Sequence, residues 1–210
     1  MAPPRRRRCG AEARPPGRRR EFPVAVARSS PALHAIHTVA CDFDGVFTDN
    51  KVWVDQSGHE SVRCDRADGL AFDLVRAFER RGRIAAEWFI LSKESNPVVL
   101  ERARKLRLTC HHGISNKVAF MESYLDRRFP LVPDTWAGVV YLGNDLNDVP
   151  VIRRAGYAVA PADAHPKVRQ VADLVLPQCG GAGFVRAFVE RLLGLDGLSA
   201  EEMDELVSDC

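Results

Sequence analysis

The sequence predicts an α/β fold in which helices flank a parallel sheet, and three observations support this prediction. From residue 38 onward, short apolar runs alternate with longer segments of helical period, which is the pattern of successive β-α units. At 210 residues and 46% hydrophobic content, the chain is long enough for one domain with a substantial core. Polar residues directly follow several apolar runs, as at the carboxyl edge of such a sheet, where α/β proteins bind ligands.

The apolar runs predict six strands, at residues 38–41, 85–91, 108–111, 138–142, 157–160 and 174–176. The segments between them predict amphipathic helices. The expected helix boundaries are Asp68 as cap and Gly82 as stop for the first, Asn96 and Pro97 before a helix to Leu106, Ser115 at the start of a third, and residues 184–193 for the last.

Residues 51–64 interrupt this alternation. Val52 and Val54 stand at alternating positions, a polar turn follows at residues 56–58, and Val62 comes after the turn. This pattern predicts a β-hairpin inserted between the first strand and the first helix. A hairpin at that edge of the sheet can cover a binding site.

The two ends of the chain differ in composition from the predicted domain, residues 36–194. Residues 1–20 hold eight arginines and one glutamate, so that stretch carries +7, and the net charge of +2 leaves −5 for the rest. Because its head combines Arg, Pro and Gly with almost no apolar side chains, we expect residues 1–35 to be a disordered tail. Nucleic-acid or membrane contact is the alternative for its arginines, but no aromatic residues are interleaved with them. Residues 195–210 are expected to form an acidic C-terminal tail or a loose helix.

The sequence carries no marks of export or membrane insertion. No apolar run is long enough to span a membrane, and the six cysteines show no C-x-x-C spacing. Scattered cysteines fit reduced thiols better than a disulfide framework. We therefore expect a cytoplasmic protein with neither a membrane nor a nucleic-acid partner.

Asp42 and Asp44 follow the first predicted strand. In an extended segment, residues two apart project to the same side, so both carboxylates are expected to point into the crevice at the strand end. Two like charges this close favour a counter-cation, and oxygen ligands suit Mg²⁺. A second polar cluster, residues 144–148, follows a later strand and is expected at the same place.

Two further polar residues complete the predicted site. Ser92 follows the second long apolar run, and Lys117 lies near the start of the third helix. A hydroxyl, an ammonium and helix N-terminal N–H groups are the partners that a transferring phosphoryl group needs. The ordered set after successive strands therefore predicts phosphoryl transfer far more specifically than the acidic pair alone.

These motifs closely resemble the capless branch of the haloacid dehalogenase (HAD) superfamily, over residues 38 to about 193. The matching motifs are DFDGVFTD at 42–49, ILS at 90–92, SNK at 115–117, YLGNDLND at 141–148, PADAHP at 161–166 and GGAG at 180–183. The nearest likenesses are the 3-deoxy-D-manno-octulosonate 8-phosphate phosphatases, the nonulosonate 9-phosphate phosphatases and the HAD domains attached to acylneuraminate cytidylyltransferases. The resemblance implies a Rossmann-like HAD fold without a cap domain.

The resemblance also implies roles for individual residues. Asp42 would be the nucleophile that forms an aspartyl-phosphate, and Asp44 the general acid and base. Ser92 and Lys117 would hold the phosphoryl oxygens. The metal residues implied are Asp42, the backbone carbonyl of Asp44, Asn144 and Asp145. The substrate-facing residues implied are Asp65, Arg66, Asp68, Gly69, Arg102 and Asn116.

Assembly is implied by the same resemblance. The 51–64 hairpin would help to build a homotetramer, and the segment of a neighbouring subunit at residues 180–183 would close the pocket.

The chain departs from the family pattern in three places. Asn144 stands where the family usually has an aspartate that binds metal, so metal affinity should fall unless Asp145 or Asp148 compensates. Glu94 and Ala182 stand where arginines are usual. These departures count against octulosonate 8-phosphate as the substrate.

The favoured function is a Mg²⁺-dependent phosphatase acting on an acidic sugar phosphate, with nonulosonate 9-phosphate preferred to octulosonate 8-phosphate. The alternative is a weakly active or inactive oligomerisation module linked to acylneuraminate cytidylyltransferase function. The intact acidic pair at 42 and 44 favours the enzyme, whereas the departures favour the module.

Overall fold

A computed structural model describes residues 30–210. Its strands are β1 Thr38–Cys41, β2 Thr48–Val54, β3 Glu60–Cys64, β4 Glu87–Leu91, β5 Thr109–His111, β6 Val139–Leu142, β7 Tyr157–Ala160 and β8 Leu174–Val175. Six of them form one parallel sheet in the order β5-β4-β1-β6-β7-β8, and β2 and β3 pair separately as an antiparallel hairpin. The predicted α/β fold with a hairpin insertion is confirmed.

All six strands predicted for the sheet are present. The first and fifth have the predicted bounds, and the other four are one or two residues shorter. The alternation along β1 explains the apolar run, since Val39 and Cys41 face one core cluster and Ala40 faces the other.

The helices cover both faces of the sheet. They are α1 Ala67–Arg80, α2 Val98–Leu106, α3 Lys117–Arg128, α4 Val149–Ile152, α5 Pro166–Val171, α6 Phe184–Leu193 and α7 Ala200–Ser208. The core on one face is closed by α1, α2 and α6, and the core on the other face by α3, α4 and α5. The central strands β1 and β6 are therefore buried on both sides.

Two predicted helix caps were wrong by a few residues. Asp68 lies inside the first turn of α1, where the Asp65 carboxylate accepts the Ala67 N–H at 2.9 Å instead. Asn116, rather than Ser115, caps α3, because its side chain reaches the Ala119 N–H at 3.0 Å. A side-chain oxygen caps a helix only where the chain is still extended, and the sequence places that point within about two residues.

The other predicted boundaries agree with the structure. The Asn96 side chain accepts the Val98 N–H at 3.0 Å at the start of α2. Gly82 follows α1 with a φ of 65°, a left-handed conformation that glycine adopts without strain.

The hairpin stands apart from the main sheet. The Asp55 carboxylate closes its turn by accepting the N–H groups of Ser57 at 2.7 Å and His59 at 3.0 Å. Val52, Trp53 and Val54 are all more than half exposed along β2. Three consecutive exposed apolar residues are unusual on a monomer surface.

The segment predicted as an acidic C-terminal tail is instead a packed helix. Ser199 and Glu202 form a reciprocal capping box at the start of α7. Leu206 is fully buried in the core beside α1, and Arg81 Nε donates to Asp209 Oδ2 at 2.9 Å. One buried leucine in a charged segment is too sparse a pattern to predict this packing from sequence.

The predicted disordered tail, residues 1–35, lies outside the described residues except for positions 30–35, where Leu33–Ala35 form one 3-10 turn. Of the helices within residues 30–210, none combines the length and hydrophobicity that crossing a membrane requires.

Candidate active site

The loop after β1 carries the acidic pair. The Asp42 N–H continues the sheet by donating to the Leu142 carbonyl at 2.9 Å. Phe43 and Phe47 are fully buried and anchor the turn, whose N–H groups at Val46 and Phe47 donate to the Phe43 carbonyl. This anchoring leaves Asp42 buried at the site and Asp44 half-buried at its edge.

Thr48 holds Asp44 in place. Its hydroxyl accepts the N–H groups of Gly45 at 3.2 Å and Asn50 at 3.1 Å, and it lies 3.4 Å from Asp44 Oδ1, to which it donates. The sequence pattern did not single out Thr48, although its position four residues after Asp44 within one tight turn could have indicated the contact.

Asn144 lies directly against the loop that carries the acidic pair. A Cβ at Gly45 would lie 1.9 Å from Asn144 Nδ2, and the φ of Gly45 is +78°, so only glycine fits there. The Asn144 carbonyl accepts the His165 N–H at 2.8 Å. Its side chain is 6% exposed, and Oδ1 has no hydrogen-bond partner among residues 30–210. A buried amide oxygen without a hydrogen-bond partner is chemically suited to coordinate a cation.

Lys117 connects the acidic pair to the second loop. Its Nζ lies 2.7 Å from Asp42 Oδ1, 2.7 Å from Asp148 Oδ1 and 3.2 Å from the Tyr141 hydroxyl. Lys117 begins α3, and its side chain is 3% exposed. The buried ammonium is thus paired with both carboxylates, but its single positive charge offsets only one of their two negative charges.

Asp148 uses all of its accepting capacity inside the protein. Its Oδ1 accepts from Lys117 and from Tyr141, and its Oδ2 accepts the N–H groups of Asn144 at 2.9 Å and Asp145 at 3.2 Å. A carboxylate with four hydrogen bonds has no lone pair left for a metal. Asp148 therefore shapes the loop and does not compensate for the missing charge at Asn144.

Burial dominates the electrostatics of the acidic pair. Burial and the charge of Asp148 raise the pKa of Asp42 to about 8, although Lys117 opposes the shift. Burial and the charge of Glu94 raise the pKa of Asp44, although the Thr48 hydrogen bond opposes the shift. Burial works to lower the pKa of Lys117, but Asp42 and Asp148 outweigh it and raise that pKa. The pair lacks positive charge, which a divalent cation would supply.

The site residues Asp42, Asp44 and Asn144 border one open cavity of about 330 Å³. Ser92 is 1% exposed at its wall, and its hydroxyl accepts the Glu94 N–H at 3.0 Å. The lining residues are Asp42, Asp44, Asn50, Ser92, Lys93, Glu94, Ser95, Asn144, Asp145 and Asn147. The structure thus brings together the residues predicted to be catalytic and metal-binding, with Lys117 beneath the cavity. Asn50, Lys93, Glu94, Ser95 and Asn147 are cavity residues absent from the sequence-based site.

The residues expected to face the substrate lie elsewhere. Asp65, Arg66, Asp68 and Gly69 lie at the base of the hairpin and the start of α1, and Arg102 in α2 reaches them through the Asp65 carbonyl. None of these residues, nor Asn116, is among the cavity lining. Their role in substrate binding stays a prediction.

The glycine-rich segment at 180–183 packs behind the site of its own chain. The Gly181 N–H donates to the Val46 carbonyl at 3.1 Å, and a Cβ at Gly180 would lie 2.0 Å from the Gly45 carbonyl oxygen. The expectation that a neighbouring subunit's copy of this segment closes the pocket stays a prediction. Glycines permit a close backbone approach, which here supports the loop of the acidic pair.

The donor set fits a hard divalent ion. Asp42, Asn144 and the exposed Asp145 offer oxygen atoms, which are the ligands that Mg²⁺ prefers. Within residues 30–210, no group of three His, Cys, Asp or Glu side chains is suitably placed to hold a metal. The oxygen donors at this cavity are the carboxylates of Asp42 and Asp145 and one amide oxygen, Asn144 Oδ1.

Fold and site together define a class. A parallel sheet without a cap domain carries an acidic pair after β1, a serine after β4, a lysine at α3 and a second polar loop after β6. This arrangement is that of the capless haloacid dehalogenase phosphatases.

The comparisons with known proteins agree. The chain is 30% identical over 163 residues to the 3-deoxy-D-manno-octulosonate 8-phosphate phosphatase KdsC of Escherichia coli K12, covering 77% of this chain and 81% of that protein. A HAD family hydrolase structure from Streptomyces avermitilis is 37% identical with a TM-score of 0.71, covering 83% of this chain and 95% of its own. The cobalt-bound YrbI phosphatase structure from Haemophilus influenzae is 25% identical with a TM-score of 0.66. The match covers 80% of this chain and 92% of that chain.

No family model matches the chain. The relatives suffice to place it: the chain belongs to the KdsC-type phosphatases of the haloacid dehalogenase superfamily, which are phosphoric monoester hydrolases.

Proposed function

We propose that this protein is a Mg²⁺-dependent phosphatase that hydrolyses an acidic sugar phosphate through an aspartyl-phosphate on Asp42. One observation carries the proposal: Asp42 Oδ1 lies 2.7 Å from the buried Lys117 ammonium at the base of a cavity bordered by Ser92 and Asn144. A nucleophile, a fixed cation and a hydroxyl around one cavity are what phosphoryl transfer requires.

In the first step, an Asp42 carboxylate oxygen attacks phosphorus, and the bond from phosphorus to the sugar oxygen breaks. Asp44 gives its proton to that leaving oxygen. Its raised pKa suits this role, because burial favours the protonated form. Ser92 holds a phosphoryl oxygen, and the charge of Lys117, held beside Asp42 beneath the cavity, offsets the developing negative charge.

In the second step, water attacks the phosphorus of the aspartyl-phosphate. Asp44, now ionised, takes a proton from that water, and the bond between phosphorus and the Asp42 oxygen breaks. Inorganic phosphate leaves, and both carboxyl groups return to their starting protonation states. Thr48 keeps Asp44 in position throughout, since its hydroxyl also binds the loop backbone.

The residues that would hold Mg²⁺ are Asp42, the Asp44 carbonyl and Asn144, with Asp145 nearby at the cavity wall. When bound, the ion would neutralise charge on the phosphoryl oxygens and orient the ester. The partnerless Oδ1 of Asn144 supports this assignment, and the cobalt bound in the Haemophilus influenzae phosphatase supports a divalent ion in this family.

The favoured substrate is a nonulosonate 9-phosphate, with octulosonate 8-phosphate as the competing candidate. The Escherichia coli relative is named for octulosonate 8-phosphate. The nonulosonate preference rests on the resemblance of residues 91–106 to the cytidylyltransferase-associated group. Glu94 and Ala182, which stand where the family usually has arginines, count against octulosonate 8-phosphate. Glu94 lines the cavity, whereas Ala182 belongs to the segment packed behind it.

Phosphate release from a panel of sugar phosphates tests both the phosphatase mechanism and the substrate preference. We expect release with Mg²⁺, loss of release with EDTA, and no release by Asp42→Asn. Faster hydrolysis of octulosonate 8-phosphate than of nonulosonate 9-phosphate would reject the substrate preference while keeping the phosphatase. Release by Asp42→Asn at the wild-type rate would reject the mechanism.

A weakly active or inactive oligomerisation module is the second candidate. Two cavity residues favour this candidate: the uncharged Asn144 weakens the attraction for Mg²⁺, and the Glu94 carboxylate repels a phosphate ester. Stable oligomers that release no phosphate from any substrate in the panel would support this candidate.

We also propose that the exposed apolar residues Val52, Trp53 and Val54 form a homotetramer contact. Their exposure on a free hairpin supports it, since assembly would bury them. Light scattering should show a tetramer for the wild type and smaller species for the double variant Val52→Lys and Val54→Lys. A monomeric wild type would reject the contact. The cytoplasmic location and the absence of nucleic-acid and membrane partners stay predictions.

A further inference from the structure

The hydroxyl of Tyr141 contacts two charged groups beneath the cavity. It donates to Asp148 Oδ1 at 2.7 Å and accepts from Lys117 Nζ at 3.2 Å. Tyr141 is fully buried in the middle of the sheet, where the ring alone would satisfy the packing. The hydroxyl is therefore explained by its hydrogen bonds to Asp148 and Lys117 and not by core packing.

The neighbouring strands make room for this side chain. Ala40 on β1 and Ala158 on β7 are the register partners of Tyr141, and both are fully buried. Small residues on both sides allow the tyrosine ring to lie along this face and its oxygen to reach the base of the site. The residues around Tyr141 thus fix the direction of its hydroxyl.

The ammonium of Lys117 has three protons and three acceptors. The acceptors are Asp42 Oδ1, Asp148 Oδ1 and the Tyr141 hydroxyl. A lysine ammonium is a point charge on a flexible stem, so two carboxylates alone would leave it free to shift between them. The hydroxyl supplies the third contact, and its own proton occupies a further lone pair of Asp148.

We propose that Tyr141 is a positioning residue, whose hydroxyl fixes the Lys117 ammonium beside Asp42 instead of letting it move onto Asp148. Tyr141 does not border the cavity, so it acts through the two groups that its hydroxyl contacts, Lys117 and Asp148, and a measurement on Lys117 itself separates the two. Its effect on the reaction rests on the proposed phosphatase function, whereas the contact with the ammonium does not.

The test compares Tyr141→Phe with a matched control, Tyr124→Phe. The Tyr124 hydroxyl also donates to a carboxylate, Glu87, but at the opposite end of β4 from Ser92. We expect kcat to fall about tenfold in Tyr141→Phe, with KM within about twofold, because the misplaced charge matters most in the transition state. Tyr124→Phe should retain the wild-type kcat even where it loses stability. A Tyr141→Phe variant with wild-type kcat beside an active wild type would overturn the proposal.

A second measurement does not depend on turnover. The ammonium signal of Lys117, observed by ¹⁵N NMR in the metal-free protein, should exchange its protons faster with water in Tyr141→Phe and remain unchanged in Tyr124→Phe. An unchanged Lys117 signal in Tyr141→Phe rejects the positioning role. The two proposals can fail separately. If the Lys117 signal differs between Tyr141→Phe and the wild type while the wild type releases no phosphate, the phosphatase function is refuted and the positioning of Lys117 stands.

Discussion

Gly45 is the residue on which the geometry of the site depends most directly. It combines a left-handed backbone with a contact that leaves no room for a Cβ beside Asn144. Larger residues at this position would displace either the loop of the acidic pair or the polar loop after β6.

We predict that Gly45→Ala lowers the free energy of unfolding by about 2 to 4 kcal/mol and abolishes activity. Gly58→Ala is the matched control: its φ is +80°, but nothing lies within 4 Å of the added Cβ. The control should lose only about 1 kcal/mol and keep its activity. Urea unfolding measures the free energy of unfolding of both variants, and equal decreases would contradict the steric explanation.

In the proposed metal site, Asn144 would set how strongly a cation is attracted. Its buried amide oxygen brings no charge, and Asp148 has no lone pair to offer in its place. We predict that Asn144→Asp tightens Mg²⁺ binding by about tenfold, because affinity rises with the number of charged ligands. Calorimetric titration of the metal-free protein measures this change.

The control for Asn144→Asp is Asn147→Asp, which adds the same charge at an exposed position of the cavity. Its effect on Mg²⁺ affinity should be smaller, since a solvated carboxylate attracts the ion mainly through screened charge. A larger effect from the Asn147 variant would place the metal elsewhere in the cavity.

Asp68 gives the protein a pH-dependent stability. Burial raises its pKa to about 7, and Arg102, with Nη2 at 3.6 Å, opposes this only in part. The folded state therefore holds the Asp68 proton more tightly than the unfolded state does. Its contribution is fully present below about pH 4 and is lost as the pH rises through about 7.

We predict that Asp68→Asn and the wild type differ little in stability at pH 4, and that the variant is more stable by about 4 kcal/mol at pH 8. Urea unfolding across this pH range measures the difference. A difference that stays constant with pH would show that Arg102 keeps Asp68 ionised in the folded protein.

At the level of elements, strands were more predictable than short helices. Four of the six sheet strands, β1, β4, β6 and β7, are apolar runs that are almost wholly buried, so their sequence pattern is strong. The helices α4 and α5 have four and six residues, too few to show a helical period, and the sequence did not indicate them.

Helix α7 is held to the domain by tertiary contacts that its sequence pattern does not show. We predict that Leu206→Ala lowers the free energy of unfolding by about 2 to 3 kcal/mol, because this side chain is fully buried against the core. The neighbouring Val207 is about half exposed, and Val207→Ala should change stability by less than about 0.5 kcal/mol. Thermal unfolding of both variants would show equal effects only if α7 did not pack.

At the level of the whole molecule, the sequence predicted which residues meet but not what holds them. Asp42, Asp44, Ser92 and Asn144 follow strands whose carboxyl ends share one edge of the sheet, so their convergence follows from fold class. Tyr141 lies within an apolar run that reads as core, and its hydroxyl contacts exist only after α3 packs beside β6.

The loops around the site also support one another from behind. Asn144 bonds the loop at His165, Asp163 accepts the Gly180 N–H at 3.0 Å, and Gly181 bonds back to Val46. This closed series of contacts links four loops that are distant in sequence. No local pattern could have indicated it, because each contact joins segments from different strands.

The saturated hydrogen bonding of Asp148 has a consequence for how the protein responds to chelators. Because peptide N–H groups and a lysine already hold that loop, the scaffold does not depend on an ion for its shape, unlike domains that unfold without their metal. We predict that EDTA stops phosphate release yet leaves the far-ultraviolet circular dichroism spectrum unchanged, and that added Mg²⁺ restores turnover without a refolding delay. Loss of the spectrum with EDTA would mean that the ion completes the fold.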